Sequence, residues 1–546
     1  MGDGLANALM GAQAYCVGKI TFFDISKTPN ISYAINTLQQ SGAICKKENN
    51  KFFWYTNNES IKNEHIFNPL TFKGRLFQYQ QEDANKLINM NRALLAHKTG
   101  LGKTIISVAA SNYLKLHEHQ NRKILIICPR SIQQQWKDEY SEHTNLKAKI
   151  YGEQGFTDAD VLIITYSRLR ISIDEIAKVE FLVTIFDEAN FVKNTRVKVS
   201  KAAYRITSLY KWELTATPIK NTPLEIYSLM KVHDLSSFLF GSEFDYIKRY
   251  ATRTFIKFLN REITTGYKNL DELKLKINDV LVKRDKNDSD VIEQLGSAFN
   301  YIQKTLNMEF TPAQRKIHII IQDEINTIVS NVKEAFNVDI DFYSEDEGKN
   351  RPELKEYKEK VLALYTADRM LSCSVQCLIK SKSPIISNLL SSLSPDAGSS
   401  SNKIEEVLRI IEQDIDEDEK IILYTSFTRF AEEIAQALGK KNISYELASG
   451  DTNYTEAIER FKIGKAQALI ITSIGKYGLN LQMASKLVLC DIPFTPSEVE
   501  QIIGRVSRIG QKQVPVIYFL VSAGGVEAKI YDNLNKKKLI SNMIFG

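Results

Sequence analysis

Thr99-Gly100-Leu101-Gly102-Lys103-Thr104 carries the residue types that grip a nucleotide phosphate. Glycine turns leading into a helix start leave backbone N–H groups pointing at an anion, and the helix dipole adds to the attraction. Lys103 has the reach for the β- and γ-phosphates, and the Thr104 hydroxyl suits Mg²⁺. The strict phosphate-loop spacing asks for glycine at 97, where this chain has His97. A glycine turn that only packs a helix against a strand therefore competes with the phosphate reading. Asp187 and Glu188 end an apolar run, FLVTIFDEAN. An Asp at a strand tip is placed to hold a Mg²⁺ water shell, and its neighbour to orient or deprotonate an attacking water. Paired acids in a solvated loop are the bland alternative, weakened by the apolar residues before them. In QIIGRVSRIGQ (501–511), Arg505 and Arg508 stand one helical turn apart on one face. Gln80, just ahead of the glycine loop, offers both a donor and an acceptor, which the N6/N7 edge of adenine requires.

These groups need rigid elements to place them. Ala93 to Ala96 is a short apolar run with the look of a buried parallel strand. Lys103 opens an amphipathic helix with Ile105, Ile106, Ala109, Tyr113 and Leu114 at helical spacing. LFQYQQEDANKL (76–87) reads as a helix start. ILIICPRSIQQQW (124–136) is a second strand ending in a proline and a helix, VLIITYSRL (161–169) a third, FLVTIFDEAN (181–190) a fourth and WELTATPIKN (212–221) a fifth. Strands alternating with helices, with chemistry at strand C-termini, predict a doubly wound α/β domain of the P-loop kind over about 71–235. A second α/β unit follows: strands over 420–427, 468–473, 486–493 and 514–521, and a helix over 429–438. Between the two units, 236–400 is mostly long-helical, with DELKLKINDVLVKRDK (271–286) and the 311–336 stretch at helical periodicity; SEDEGKN (344–350) reads as a solvated loop and SPDAGSSS (394–401) as a flexible linker. Residues 1–70 name no chemistry. Ile31 to Gln40 is expected to be helical and Gly42 to Tyr55 a hairpin turning at Glu48-Asn49-Asn50. Its lysines beside Phe52, Phe53 and Trp54 suit nucleic acid, or the aromatics simply pack on the next domain.

Composition narrows the field only coarsely. The 546 residues allow two to four domains. The net charge of +6 is a small difference between 71 basic and 65 acidic residues, so it permits a nucleic-acid partner without arguing for one. No apolar run reaches the ~18 residues of a membrane span, and the N-terminus has neither the basic n-region nor the apolar core of a signal peptide. Six scattered cysteines make no C-x-x-C pair, which argues against a zinc module and fits a reducing compartment. Cys373 and Cys377, one helical turn apart, are expected to be buried thiols.

The order of the motifs says more than any one of them. TGLGKT, DEAN (187–190), LTATPIKN (214–221), TSIGKYGLNL (472–481) and QIIGRVSRIGQ occur in sequence across two α/β units. This set resembles the superfamily 2 helicase-like ATPases, and within them the SWI/SNF-type branch of DNA translocases. Gln80 stands at that branch's adenine-reading position, ICPRSIQQQW is similar to its CP-x-S-x-x-x-x-W segment, LVKRDK (281–286) to its basic RR-x-K stretch, and 508–530 to its second-lobe ending. His97 and Lys98 replace a usual acidic pair, Asn190 and Ser507 each replace a His, and Phe494 replaces a Trp.

The resemblance implies two RecA-like, P-loop parallel-sheet lobes with helical insertions and a small N-terminal accessory domain: 1–70 accessory, 71–235 ATP-binding lobe, 236–400 helical extension and linker, 401–526 C-terminal lobe and 527–546 a helical brace. It implies ATP and Mg²⁺ as cofactors. Lys103, Asp187, Glu188, Gln501, Arg505 and Arg508 are the expected catalytic residues. The expected nucleotide site is Gln80, His97, Lys98, Thr99, Gly100, Leu101, Gly102, Lys103, Thr104 and Gly478, with Thr104 and Asp187 on the metal. Duplex DNA is the expected partner, gripped without sequence reading by Ser131, Thr165, Tyr166, Thr217, Lys220, Thr425, Thr472 and Asn480. The expected activity is a DNA-dependent ATPase that tracks along DNA and remodels or displaces bound protein. A transcription accessory ATPase on an RNA polymerase complex and a strand-separating repair helicase are the alternatives. With no recognised reader module, secretion signal or Lys/Arg run for nuclear import, a compact bacterial or viral motor in the cytoplasm is expected.

Overall fold

The structure is a computed structural model. It describes the backbone of four N-terminal strands, and residues 66–69, 72–117, 121–152, 158–219, 222–256, 261–295, 301–336, 352–379, 387, 401–416, 419–449, 454–472, 481–508 and 511–545. The N-terminal strands β1 (Gln13–Val17), β2 (Ile20–Asp24), β3 (Ile44–Glu48) and β4 (Lys51–Thr56) form an antiparallel sheet in the order β1-β2-β4-β3. Glu48 pairs with Lys51, so β3 and β4 are the expected hairpin. The expected helix over 31–40 lies outside the described residues, as do 344–350 and most of 394–401.

The first large sheet joins β5 (Arg92–His97), β6 (Ile124–Cys128), β7 (Ala148–Ile150), β8 (Val161–Thr165), β9 (Glu180–Asp187), β10 (Thr207–Leu214) and β13 (Leu281–Arg284). Its order is β13-β5-β10-β9-β6-β8-β7 and every pairing is parallel. β5 and β6 are buried along their whole length, which is why they read as unbroken apolar runs. Leu214 pairs with Leu95 on one side and Asp187 on the other. The turn after β5 and the carboxylate ending β9 therefore flank the tip of β10, two strand spacings or about 10 Å apart. This sheet order alone brings the glycine loop to Asp187.

β11 (Ala251–Ile256) and β12 (Arg261–Tyr267) form a separate antiparallel ribbon. The second large sheet holds β14 (Ile302–Met308), β15 (Ile421–Tyr424), β16 (Tyr445–Ala448), β17 (Ala468–Ile471), β18 (Lys486–Leu489) and β19 (Val516–Ser522), in the all-parallel order β14-β19-β18-β15-β17-β16. Two parallel sheets of this kind confirm the expected pair of RecA-like lobes.

Three local expectations need correction. The helical periodicity assigned to 271–286 stops at Ile277, and Leu281–Arg284 runs as β13 beside β5. Val280 and Val282 are buried there, and burial against a sheet edge overrides a pattern that a short stretch cannot distinguish. VLIITYSRL is strand only to Thr165, whose hydroxyl accepts from Arg168 N and starts a helix at Tyr166. β14 and β16 escaped the sequence: β14 is polar in four of its seven positions, β16 is only four residues long, and both lie at sheet edges. Residues 236–400 thus supply one edge strand to each lobe.

A buried ion pair ties the second lobe to its last helix. Lys403 Nζ lies 2.7 Å from Glu527 Oε2 and also donates to Cys490 O, and both side chains are almost wholly enclosed. Burial pushes the ammonium pKa down, but Glu527 outweighs it and the net shift is upward. Lys403→Met leaves Glu527 buried without a counter-charge, so we expect a loss of roughly 3–5 kcal/mol of stability, measured as thermal and denaturant midpoints. A shift below about 1 kcal/mol would mean that Glu527 is relieved without Lys403, by taking up a proton or by meeting water. Cys128, Cys373, Cys377 and Cys490 are free and buried. Among the described residues no helix is long and apolar enough to cross a membrane.

Candidate nucleotide site at the lobe interface

The glycine loop leaves β5 at Lys98 and enters the helix Lys103–His117. Gly100 and Gly102 sit at φ +91° and +82°, conformations that favour glycine, and a side chain on Gly102 would collide with Gln80. Backbone conformation therefore favours glycine at both positions, and at Gly102 space does so as well. Lys103 Nζ donates to His97 O at 2.9 Å, curling back over the loop. Burial pushes the Lys103 pKa down; Glu188, Asp187 and Glu500 oppose that shift. Thr104 is half-buried in the helix's first turn.

Asp187 is held on three sides. Trp136 Nε1 donates to Oδ2 at 2.8 Å, Glu188 N donates to Oδ1 at 2.9 Å, and Tyr166 Oη donates to its carbonyl at 2.8 Å. Burial raises its carboxyl pKa even with Trp136 and Lys103 pulling it down. A buried carboxylate short of positive charge is the donor a divalent cation fits. Glu188 stands at φ +54°, a left-handed conformation that is costly for a side chain with a Cβ and turns it out of the strand. Asn190 Nδ2 reaches Thr215 Oγ1 at 3.5 Å, and Thr217 N donates to the same hydroxyl, so the chain from this acidic box to the β10 tip is present with Asn in place of His.

The second lobe contributes the helix Pro496–Val506, started by the Thr495 hydroxyl accepting from Glu498 N. It lies against the glycine loop. Gln501 Nε2 reaches Glu188 Oε1 at 3.4 Å; Glu500 Oε1 accepts from Lys98 Nζ at 3.0 Å; Thr99 Oγ1 donates to Glu500 O at 3.3 Å. Arg505, half-buried, has its pKa pushed down to about 10, by burial first and then by Arg508, against the pull of Glu188 and Asp187. Its Nε is buried with no hydrogen-bond partner among the described residues. Arg508 is also lowered by burial, opposed by Glu139 of the first lobe.

Other expected site residues are placed differently. Gln80 is buried, its Oε1 accepting from Phe77 N at 3.0 Å and its Nε2 reaching Leu101 O at 3.4 Å, so its amide braces the loop. The His97 side chain points away from the loop, with Nε2 3.2 Å from Asp83 Oδ2. Burial lowers the His97 pKa against the pull of Asp83. Burial would raise Asp83, but contacts with His97 and Arg284 win and hold it well below the carboxylate range. Thr165 ends β8, and Ser131, Thr217, Thr425 and Thr472 follow the C-terminal ends of parallel strands, all on the same edge of each sheet as the nucleotide residues. Tyr166 and Thr425 are buried; the Tyr166 hydroxyl serves Asp187 and the Thr425 hydroxyl accepts from Phe427 N. Thr472 Oγ1 lies 3.1 Å from Tyr454 Oη. Lys220, Gly478 and Asn480 lie outside the described residues. Sequence reasoning missed the Glu500–Lys98 pair, the Asp83–His97–Arg284 cluster and Arg369, which spans Asp491 and the Phe494 ring. No spacing signal points to any of them, because the partners are distant in the chain.

A glycine loop, an acidic strand tip and arginines on an opposing lobe are the make-up of a helicase-like ATP site. The chain belongs to the SNF2-related family: the SNF2-related domain matches residues 47–346, and the helicase conserved C-terminal domain matches 402–510. It is 23% identical over 513 residues to the TATA-binding protein-associated factor MOT1 of Saccharomyces cerevisiae, covering 85% of this chain and 27% of that protein. It is 26% identical over 495 residues to an uncharacterized ATP-dependent helicase of Mycoplasma pneumoniae, covering 86% of this chain and 42% of that one. The chain thus spans less than half the length of either relative. The helicase domain of Pyrococcus furiosus Hef shares the fold, with a TM-score of 0.51 at 16% identity over 84% of this chain and 98% of that one.

Proposed function

We propose that this protein is an ATP-driven motor that tracks along double-stranded DNA and displaces or remodels bound protein. The observation that carries the reading is the division of the site: Lys103, Thr104, Asp187 and Glu188 lie on one lobe, and Gln501 and Arg505 reach them from the other. A site split this way is complete only when the lobes meet, so each turnover is coupled to a lobe movement. We assign 71–235 and 401–526 as the lobes, 236–400 as the extension lending each an edge strand, 527–546 as a brace and 1–70 as an accessory unit.

Glycine-loop amides and Lys103 hold the phosphates of ATP. Glu188, turned out by its backbone and touched by Gln501, orients and deprotonates the attacking water. Arg505, with Arg508 behind it, neutralises charge that develops in the transition state. Thr104 and Asp187 are the residues to hold Mg²⁺, which when bound neutralises the β/γ oxygens. Ser131, Thr165 and Thr472, half-buried hydroxyls at the C-terminal ends of parallel strands, lie on the same edge of each sheet as the nucleotide residues, and small neutral donors there suit a phosphate backbone better than base reading. A relative named as a TATA-binding protein-associated factor supports work on a protein–DNA complex.

The test is ATPase activity with duplex DNA, single-stranded DNA and RNA in parallel, beside displacement of a triplex-forming third strand. Duplex DNA is expected to stimulate most and the third strand to be displaced. Stimulation by RNA alone would overturn the reading. A transcription accessory ATPase would show the same DNA stimulation together with specific capture of an RNA polymerase complex.

A further inference from the structure

Four contacts bolt the helix Pro496–Val506 and its C-terminal cap onto the first lobe, and three of them converge on the start of the glycine loop. Lys98 Nζ lies 3.0 Å from Glu500 Oε1, with both side chains about three-quarters shielded from solvent. Thr99 Oγ1 donates to Glu500 O at 3.3 Å. Gly504, one turn further along, meets Thr99 so closely that any side chain there would run into it. At the end of the helix, Lys286 Nζ, carried just beyond the first lobe's edge strand β13, donates to Ser507 O at 3.1 Å. The helix held this way presents Gln501 to Glu188 and carries Arg505.

We infer that Lys98 and Glu500 are positioning residues: their charge pair sets the register of the arginine-bearing helix against the phosphate loop, with Thr99, Gly504 and Lys286 as its mechanical supports. The inference rests on the assignment of Lys103, Glu188 and Arg505 as the hydrolytic centre. Lys98 is adjacent to a loop built for phosphate, yet its ammonium is turned to Glu500 on the opposite lobe. Glu500 has its other carboxylate oxygen, Oε2, buried without a hydrogen-bond partner among the described residues. Lys103 and Lys286 also feel the Glu500 charge, but Lys98 is its ion-pair partner among the described residues, and partial burial makes that pair worth more than a solvated surface bridge. A pair that reaches from one lobe to the other acts only when the lobes are together. It therefore favours the arrangement in which Arg505 is in range of Glu188 and Asp187, and contributes to rate rather than to nucleotide affinity.

Charge reversal separates this role from simple phosphate binding, because the two make opposite forecasts. Glu500→Lys places a second cation beside Lys98; it is expected to lower kcat about tenfold with KM for ATP unchanged or lower, the size of coupling seen for close interfacial charge pairs. Adding Lys98→Glu puts a negative charge at the phosphate loop, yet restores the attraction with the sign exchanged. The double variant is expected to recover kcat to within about threefold of wild type, a clear departure from additivity. Glu500→Gln, a milder change, should show a smaller loss of kcat in the same direction, and thermal melting of each variant reports that it is folded. A double variant worse than Glu500→Lys alone, or Glu500 variants with wild-type kcat, would overturn the inference. Lys103→Ala is the separate control: wild-type turnover in that variant would sink the assignment of the hydrolytic centre itself.

Discussion

Glu188→Gln is expected to remove ATP turnover by about 10³-fold or more, while nucleotide affinity stays within a few-fold of wild type. The substitution keeps the size and one oxygen of the side chain, so the left-handed turn at φ +54° and the backbone donation from Glu188 N to Asp187 Oδ1 are undisturbed. What disappears is the negative charge and the basic oxygen that Gln501 Nε2 approaches at 3.4 Å. Removing that charge also relieves some repulsion near the phosphates, which is why affinity is held rather than lost. Single-turnover hydrolysis beside nucleotide titration separates the two quantities. A parallel fall in both would make Glu188 a binding residue, and retained turnover would remove it from the chemistry.

The same residue shows where the sequence was informative and where it ended. The acidic pair after an apolar run located Asp187 and Glu188 at a strand tip, because a buried parallel strand leaves a continuous apolar signature and its exit is abrupt. The glycine loop, the alternation of strands and helices and the two-lobe fold were legible for the same reason: each is a local pattern. Trp136 was visible as part of a motif, but its bond to Asp187 was not, since the two are brought together by β6 pairing with β9. His97 was read as an odd residue in a phosphate loop. Its side chain belongs instead to a cluster with Asp83 and Arg284, and only the fold reveals that. Lys98 likewise looked like a phosphate ligand until Glu500, four hundred residues away, was beside it. Edge strands β14 and β16 failed for a different reason: a strand with one free edge and a partly wet face lacks the apolar run that marked the interior ones.

Arg505→Ala is expected to lower kcat by about 10³-fold or more with KM for ATP changed only a few-fold, and Arg508→Ala to cost distinctly less. From spacing alone the two arginines are equivalent, one helical turn apart on one face. Their surroundings are not. Arg505 is in electrostatic range of Glu188 and Asp187, burial and Arg508 lower its guanidinium pKa to about 10 while leaving it charged at neutral pH, and its Nε has no hydrogen-bond partner among the described residues. A cation held in that condition gains most from charge that appears in the transition state, because that charge supplies what the resting site lacks. Arg508 has a carboxylate of its own in range, Glu139 on the first lobe, so part of its charge is already answered. Removing it unbalances Glu139 and relieves Arg505 at the same time, two effects that oppose each other. Arg505→Lys tests geometry against charge: a compact ammonium cannot reproduce the guanidinium fork, so recovery should be slight. Equal losses in the two alanine variants, or a larger loss in Arg508→Ala, would exchange their roles.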